Sequence, residues 1–492
     1  MQALINNHLT KMAGLICFAI FLLSMQLPYF WDNISIVNRF ALHFFENGLF
    51  PLTVLAQIDH GHPPLLGWLV ALNYKIFGLN LISAHLTMLP FLLLIAWQWC
   101  QLIKQVLAPK FWWLGLLALF AEPSFLAHST MVSPEIILVT GILFTLNGIL
   151  LNNNYYRFTG LILLGFSSIR GSIWCVVFAL TEFVFILNKN QQSKNEFLFN
   201  LKKIALPYFT AAFLIIVWYT YHYLAQGFMF SPPDSTWSAR HQWKLDSNIF
   251  YHLKMLLWAM LDYGRVFVWA LAIIVTIYHL FWKKMAQSLG KQKTPKNQQI
   301  KTLISFCIIG FTAMSIVMLL RSGNVHQRYL IPLFILAFLV FIYYAININF
   351  KWLSYSILTL AFVALYSGHL WVYPPRYTQA WDASLAHLPY FQLRQNAMDY
   401  LSKNNININE VSTAFPTYNS LYLTDLKTEK KEQFSNLSQE LNGKYILDSN
   451  IQNSLLPQHR ELLQRSSQFQ LIWQKEKRGI WLKLYQKFEM SH

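Results

Sequence analysis

Long apolar runs separated by short polar breaks fill most of the first 372 residues. A helix needs about 20 apolar residues to cross a bilayer. Runs near that length recur at about 11–28, 80–103, 111–130, 135–151, 156–169, 171–187, 203–224, 263–282, 303–320, 329–346 and 352–372, so the pattern predicts about eleven spans. The run 63–77 is shorter and contains Lys75. It is expected to lie along the membrane surface, with Pro63 and Pro64 at its first turn. Residues 34–45, with Ile34, Val37, Leu42 and Phe45 spaced around Arg39 and His43, suit a second surface helix. Residues 29–79 therefore read as a small structured platform between two spans.

The pattern changes at about Tyr373. Residues 373–492 are polar, rich in Asn, Gln, Lys and Ser, and too hydrophilic to span. A helical period covers 388–401. Strand-like runs follow at 411–415, 445–447, 469–473 and 480–485, the last two joined by a turn at Gly479. The expected fold class is a polytopic α-helical membrane protein, residues 1–372, with a small C-terminal α/β domain, residues 373–492.

Composition agrees. The chain is 55% hydrophobic and only 12% charged, against about 25% charged in soluble proteins. The net charge of +17 does not point to nucleic acid, because the lysines gather in short loops between apolar runs. By the positive-inside rule, the dense stretches 189–203 and 283–301, with Lys104 and Lys110, face the cytoplasm. The N-terminus is then inside; the platform and the C-terminal domain are extracytoplasmic. Counting 63–77 as a span would put Lys104 and Lys110 outside. Cys17, Cys100, Cys175 and Cys307 each stand alone in an apolar run, so neither a disulfide framework nor a zinc site is expected. No cleavable leader is evident; the first run reads as a signal anchor.

Candidate chemistry clusters at the outer ends of the spans. Asp32 follows Tyr29-Phe30-Trp31, where it suits a general base or, more plainly, a helix-end cap or interface anchor. Asp59, His60 and His62 precede Pro63-Pro64 and suit a polar ligand such as phosphate or sugar hydroxyls. Asp59 alone also suits a helix cap. Glu135, after Ser133-Pro134, opens a span on the same side as Asp32; it suits equally a functional acid and a first-turn charge at the helix dipole. Arg170 lies within an apolar stretch and needs a partner, either Glu135 or a phosphate. Arg321, His326, Arg328 and Tyr329 occupy a later outer loop, where an arginine fork suits phosphate and an Arg-Tyr pair also suits interfacial anchoring. The 225–262 stretch, with Trp237, Arg240, His241, Trp243, Lys244 and Asp246, reads as a loop long enough to cover a site. Asp382, Asp425 and Asp448 are expected in solvated loops without basic partners. No metal set is assigned and no cofactor is fixed; His60 and His62 leave a divalent cation open.

Taken together, Asp32, the D-x-x-H-P-P-L step at 59–65, Pro134-Glu135, Arg170-Gly171 and His326-Gln327-Arg328-Tyr329 resemble the GT-C superfamily of membrane glycosyltransferases. The branch is the dolichyl-phosphate-mannose–protein mannosyltransferase-like one, which includes the bacterial aminoarabinose transferase acting on lipid A. The resemblance covers about residues 10–372. It implies transfer of a sugar from a polyprenyl-phosphate donor to a lipid, glycan or protein acceptor, at the outer face of a bacterial cytoplasmic membrane. It makes Asp32 the base, Glu135 the acidic residue of the second outer loop, His62 a holder of the donor phosphate and Arg328 a neighbour of the lipid phosphate. The chain departs from the family in having Asn33 where Glu is usual, and Glu135 where Asp is usual. Two rivals are a transporter of lipid-linked saccharide and a ligase for polyprenyl-linked glycans. No internal repeat of the kind transporters favour is visible.

Overall fold

Two proline-marked breaks and one glycine turn shape the apolar runs into the observed helices. The computed structural model describes residues 2–187, 194–233, 249–286, 296–320, 325–427, 432–437, 441–453, 455 and 457–488. Among them, five helical stretches are long and apolar enough to cross a membrane: Leu81–Val106, Ile204–Gln226, Gln298–Leu320, Gln327–Ile346 and Lys351–Leu370. Two bent pairs are further candidates: Pro123–Ser129 with Pro134–Leu150, and Ile249–Leu261 with Arg265–Phe281. The chain is a multi-pass membrane protein. By length and composition this gives five to seven spans among the described residues, fewer than the apolar runs suggest.

The run expected as one span at 111–130 shows why. Its helix stops at Ala121, and a separate helix Pro123–Ser129 begins. Pro123 has no N–H to continue the ladder, and the Glu122 carboxylate caps the new helix by accepting from the Phe125 N–H. The bend from that helix to Pro134–Leu150 is 116°. Residues 249–261, expected within a loop, form the helix Ile249–Leu261. It turns into Arg265–Ala286 through Gly264, whose φ is +83°. A Cβ there would lie 1.9 Å from the Ala364 carbonyl oxygen, so the turn accepts only glycine. Residues 234–248, which hold Trp237, Arg240, His241, Trp243, Lys244 and Asp246, lie outside the described residues. So do Arg321 and parts of the two basic stretches, 188–193 and 287–295.

The platform is built from the π-helical turn Ile34–Asn38, the helix Arg39–Asn47 and the helix Leu65–Phe77. The last begins just after both prolines, with Pro64 as its N-cap. Its Tyr74 hydroxyl donates to Asn38 Oδ1 at 2.9 Å, and Asn38 Nδ2 donates to the Leu423 carbonyl at 2.7 Å. The platform is thus tied to the C-terminal region.

That region carries a five-stranded sheet: β1 (Val411–Thr413), β2 (Ser435–Asn436), β3 (Tyr445–Ser449), β4 (Phe469–Lys477) and β5 (Ile480–Lys487). The order is β2-β1-β3-β5-β4, parallel on the β1 side and antiparallel from β3 onward. The helix Leu388–Lys403 packs on β4 and β5. Its buried Tyr390 and Leu393 share one core with Leu447 and Leu482 from the sheet and with Phe30, Trp31 and Met131 from the helical part. The sheet region therefore rests directly on the start of the platform. Its carboxylates are not solvated as expected. Asp382 pairs with Arg328, Asp425 with Arg394 and Asp448 with Arg460. Each of those arginines is buried, which spacing along the chain did not reveal.

Candidate functional site

Arg328 is the centre of the charged cluster. The chain leaves His326 extended and enters a short 3-10 turn, Gln327–Leu330, ahead of the helix Ile331–Ile346. That turn buries the guanidinium at the end of the apolar helices. One Nη donates to Asp32 Oδ2, and the other to Asp382 Oδ2 at 3.0 Å. Its Nε lies 3.7 Å from Glu135 Oε1.

Glu135 faces Arg328 because Ser133 caps the helix Pro134–Leu150 and Pro134 opens it, placing the carboxylate in the first turn. Arg170, in the first turn of the helix Ile169–Leu187, grips Glu135 with both ends of its fork, at 2.9 and 2.8 Å. It also lies over the Tyr329 ring, 4.2 Å from the centroid. Of the two partners weighed for Arg170, the structure shows the carboxylate.

Three carboxylates thus share two guanidinium groups, a formal charge of −1 with all five ionised. The side chains of Glu135 and Asp382 are only 4% and 3% exposed, whereas Asp32 is 27% exposed. Asp32 is the acid of the three that solvent reaches. Its backbone carbonyl starts the platform's helical turn by accepting from Ser35 and Ile36 N–H, which fixes the carboxylate at the head of the turn. Asp382 is pushed up to about 6, chiefly by burial and further by Asp32 and Glu135, with Arg328 opposing. His326 is pushed down to about 3, by burial first and then by Arg328, so its imidazole is neutral. Its ring meets Tyr329 edge-on, 5.4 Å between centroids.

The 59–62 turn reaches the same neighbourhood from the platform side. His60, His62, Pro134, Ser168 and Arg170 line one narrow pocket. His62 Nδ1 accepts from the Ile169 N–H at 3.4 Å, which assigns the ring proton to Nε2. His60 is buried and stacked on Phe40, with centroids 4.2 Å apart and planes within 3°. Its Nε2 contacts the Ile36 carbonyl at 3.2 Å and its Nδ1 accepts from the His62 N–H at 3.4 Å, so both nitrogens meet backbone. Burial pushes His60 down to about 4. Asp59 has no ion pair with Arg170 or Arg328 among the described contacts. Its oxygens accept from the Gly61 N–H at 2.7 Å and meet His222 Nε2 at 2.8 Å. Among the described residues no group of three or more His, Cys, Asp or Glu side chains is arranged to hold a metal ion.

Sequence reasoning missed two members of this neighbourhood. Asp382 comes from the segment after the last span and looked like an ordinary loop aspartate. His128 is fully buried beside Glu135 and bonds Ser133 Oγ at 2.8 Å; the Ser133-Pro134-Glu135 step was its only signal. A separate apolar cavity of about 510 Å³, lined by Val268, Trp269, Phe334 and Phe338 with the Glu122–Arg265 pair beside them, includes no residue of the Arg328 cluster.

No protein-family model matches the sequence, and no curated protein matches it. Two solved structures do match in shape. They are crystal structures of ArnT from Cupriavidus metallidurans, in the apo state and bound to undecaprenyl phosphate. The TM-scores are 0.53 and 0.50, and the identities 11% and 12%; each match covers 96% of this chain and 97% of the other. With the helical part and the sheet region both inside the match, the chain has the fold of these ArnT structures.

Proposed function

We propose that this protein is a membrane glycosyltransferase that moves a sugar from a polyprenyl-phosphate donor to an acceptor at the extracytoplasmic face. The observation that carries the reading is the Arg328 cluster. Two arginine forks and a partly exposed carboxylate meet at one end of the apolar helices, beneath the sheet region, in a fold that ArnT uses to bind undecaprenyl phosphate.

The chemistry asks little more. Arg328, Arg170 and His62 hold the donor phosphate, Arg328 exchanging a carboxylate partner for it while Arg170 keeps Glu135. Asp32 takes the proton from the acceptor. The acceptor heteroatom attacks the anomeric carbon as the bond to the phosphate oxygen breaks, and the phosphate leaves with its electron pair. Direct attack inverts the anomeric centre, and a stable phosphate leaving group needs no strong acid. Glu135 holds Arg170 in place, while Tyr329 and His326 wall the arginines. The multi-pass chain sits in a bacterial cytoplasmic membrane with residues 373–492 outside.

The test is transfer by purified protein from a panel of polyprenyl-phosphate sugars, alongside Asp32→Asn. Loss of a general base costs about 10²–10⁴ in rate, and the variant should still bind undecaprenyl phosphate. Near-normal turnover by Asp32→Asn removes Asp32 from its role. Failure of the wild type both to bind undecaprenyl phosphate and to use any donor overturns the function.

A further inference from the structure

Asp59 and His222 form a buried pair that the reaction as written does not use. His222 lies in the long helix Lys194–Gln226, and Asp59 in the platform turn, 163 positions apart. Each is 2% exposed. The His222 ring stacks on Trp218, with centroids 5.1 Å apart, and its Nδ1 has no hydrogen-bond partner among the described residues. A bare lone pair is the cheaper state for an unpartnered nitrogen, so Nε2 carries the proton and donates to Asp59. The other Asp59 oxygen accepts from the Gly61 N–H. Gly61 has φ +72°, and a Cβ there would lie 1.1 Å from the Phe230 carbonyl oxygen. The chain just beyond the helix therefore lies flat on the turn.

The contacts continue in one direction. His62 follows Gly61 and accepts from the Ile169 N–H; Arg170 follows Ile169 and clasps Glu135. We infer that Asp59 and His222 are positioning residues, which lock the 59–62 turn so that His62 and Arg170 face one pocket. The inference rests on the glycosyltransferase reading for its kinetic readout only. The lock itself is a statement about the turn.

Four variants test it in the full-length protein: His222→Phe, His222→Gln, Asp59→Asn and the double variant Asp59→Asn/His222→Phe. The double variant removes the buried charge together with its donor, which keeps a folded comparison available. Hydrogen exchange across 59–65 is read in detergent, and kcat and KM for the donor are read separately. His222→Phe should speed exchange in 59–65 at least tenfold and raise the donor KM about tenfold, in line with the cost of misplacing a binding group. His222→Gln, which keeps an N–H donor, should recover most of both. The double variant should be no worse than the worse single variant. Unchanged exchange in His222→Phe overturns the lock. Abolished kcat in Asp59→Asn beside normal kinetics in His222→Phe also overturns it, because Asp59 would then act on substrate directly. If the wild type transfers nothing, the function falls while the exchange result still decides the lock.

Discussion

Asp382→Asn is the sharpest probe of how the arginine cluster receives an anion. In the wild type, Asp382 is 3% exposed and holds Arg328 Nη1 at 3.0 Å. A phosphate arriving at Arg328 meets a site that already carries one excess negative charge, so binding favours Asp382 in its protonated form. Asp382 is pushed up to about 6, mainly by burial. At pH 7.5 such a group is protonated only ~3% of the time, and at pH 5.5 about three quarters of the time. Selecting the protonated form therefore weakens anion binding at pH 7.5 by up to about 25-fold relative to pH 5.5. The substituted amide is neutral throughout and removes that dependence. The assay is binding of undecaprenyl phosphate to both proteins in detergent at pH 5.5 and 7.5. The ligand's own second ionisation, near pH 6, affects both alike and cancels in their ratio. The variant should bind up to about 30-fold tighter than wild type at pH 7.5 and about equally at pH 5.5. A ratio that stays within twofold at both pH values refutes the argument. Stability carries the same sign. A raised carboxylate keeps its proton longer in the folded state, so wild type loses stability as pH rises from about 4 to about 6 and no more above that, by ~3 kcal/mol in all. Asp382→Asn should lack that decline.

Gly61→Ala places a methyl group against the Phe230 backbone at positive φ; a lower melting temperature, by ~1–3 kcal/mol in stability, together with weaker donor binding is expected, and wild-type values for both would contradict the packing. Glu182→Gln breaks the buried Arg157–Glu182 pair at 2.9 Å, which should cost ~3–5 kcal/mol in thermal unfolding while kcat of the folded enzyme holds; a specific loss of kcat would tie that pair to the site. A cysteine at exposed Gln57, in a background lacking the four native cysteines, should react with an impermeant thiol reagent from outside the cell; labelling only after lysis reverses the proposed topology. Removing residues 390–492 should impair donor binding as well as acceptor use, because Phe30 and Trp31, just before Asp32, share that region's core. Intact donor binding in the truncated protein would show that the platform stands alone.

The sequence carried the fold class because burial in lipid leaves a one-dimensional mark. Apolar runs, lysine-rich loops and the polar turn at about residue 373 follow from what hydrocarbon excludes, whatever the tertiary contacts. The strands at 445–449 and 480–487 and the helix 388–403 were legible for a similar reason, since half-burial imposes a period. Residue type and position also marked Asp32, Glu135, Arg170 and Arg328, because ionisable groups at span ends are costly enough to stand out. Which charges meet was beyond its reach. Arg328 joins Asp32 across 296 positions and Asp382 across 54, and no local pattern encodes either pairing. Asp382 read as solvated because it lies in the polar segment after about Tyr373 with no basic partner pattern around it in sequence, while in space it meets the buried Arg328. Asp59 stood in a motif that suggested a ligand, yet its oxygens are engaged by the Gly61 N–H and by a histidine from a distant helix. Helix breaks were hidden likewise: the run 111–130 read as one span, yet its helix stops at Ala121 and restarts at Pro123 under the Glu122 cap, and the 116° bend comes later, between Ser129 and Pro134. Hydrophobicity is a property of each residue, so the chain displays it. Charge pairing and bending are properties of distance, which only folding sets.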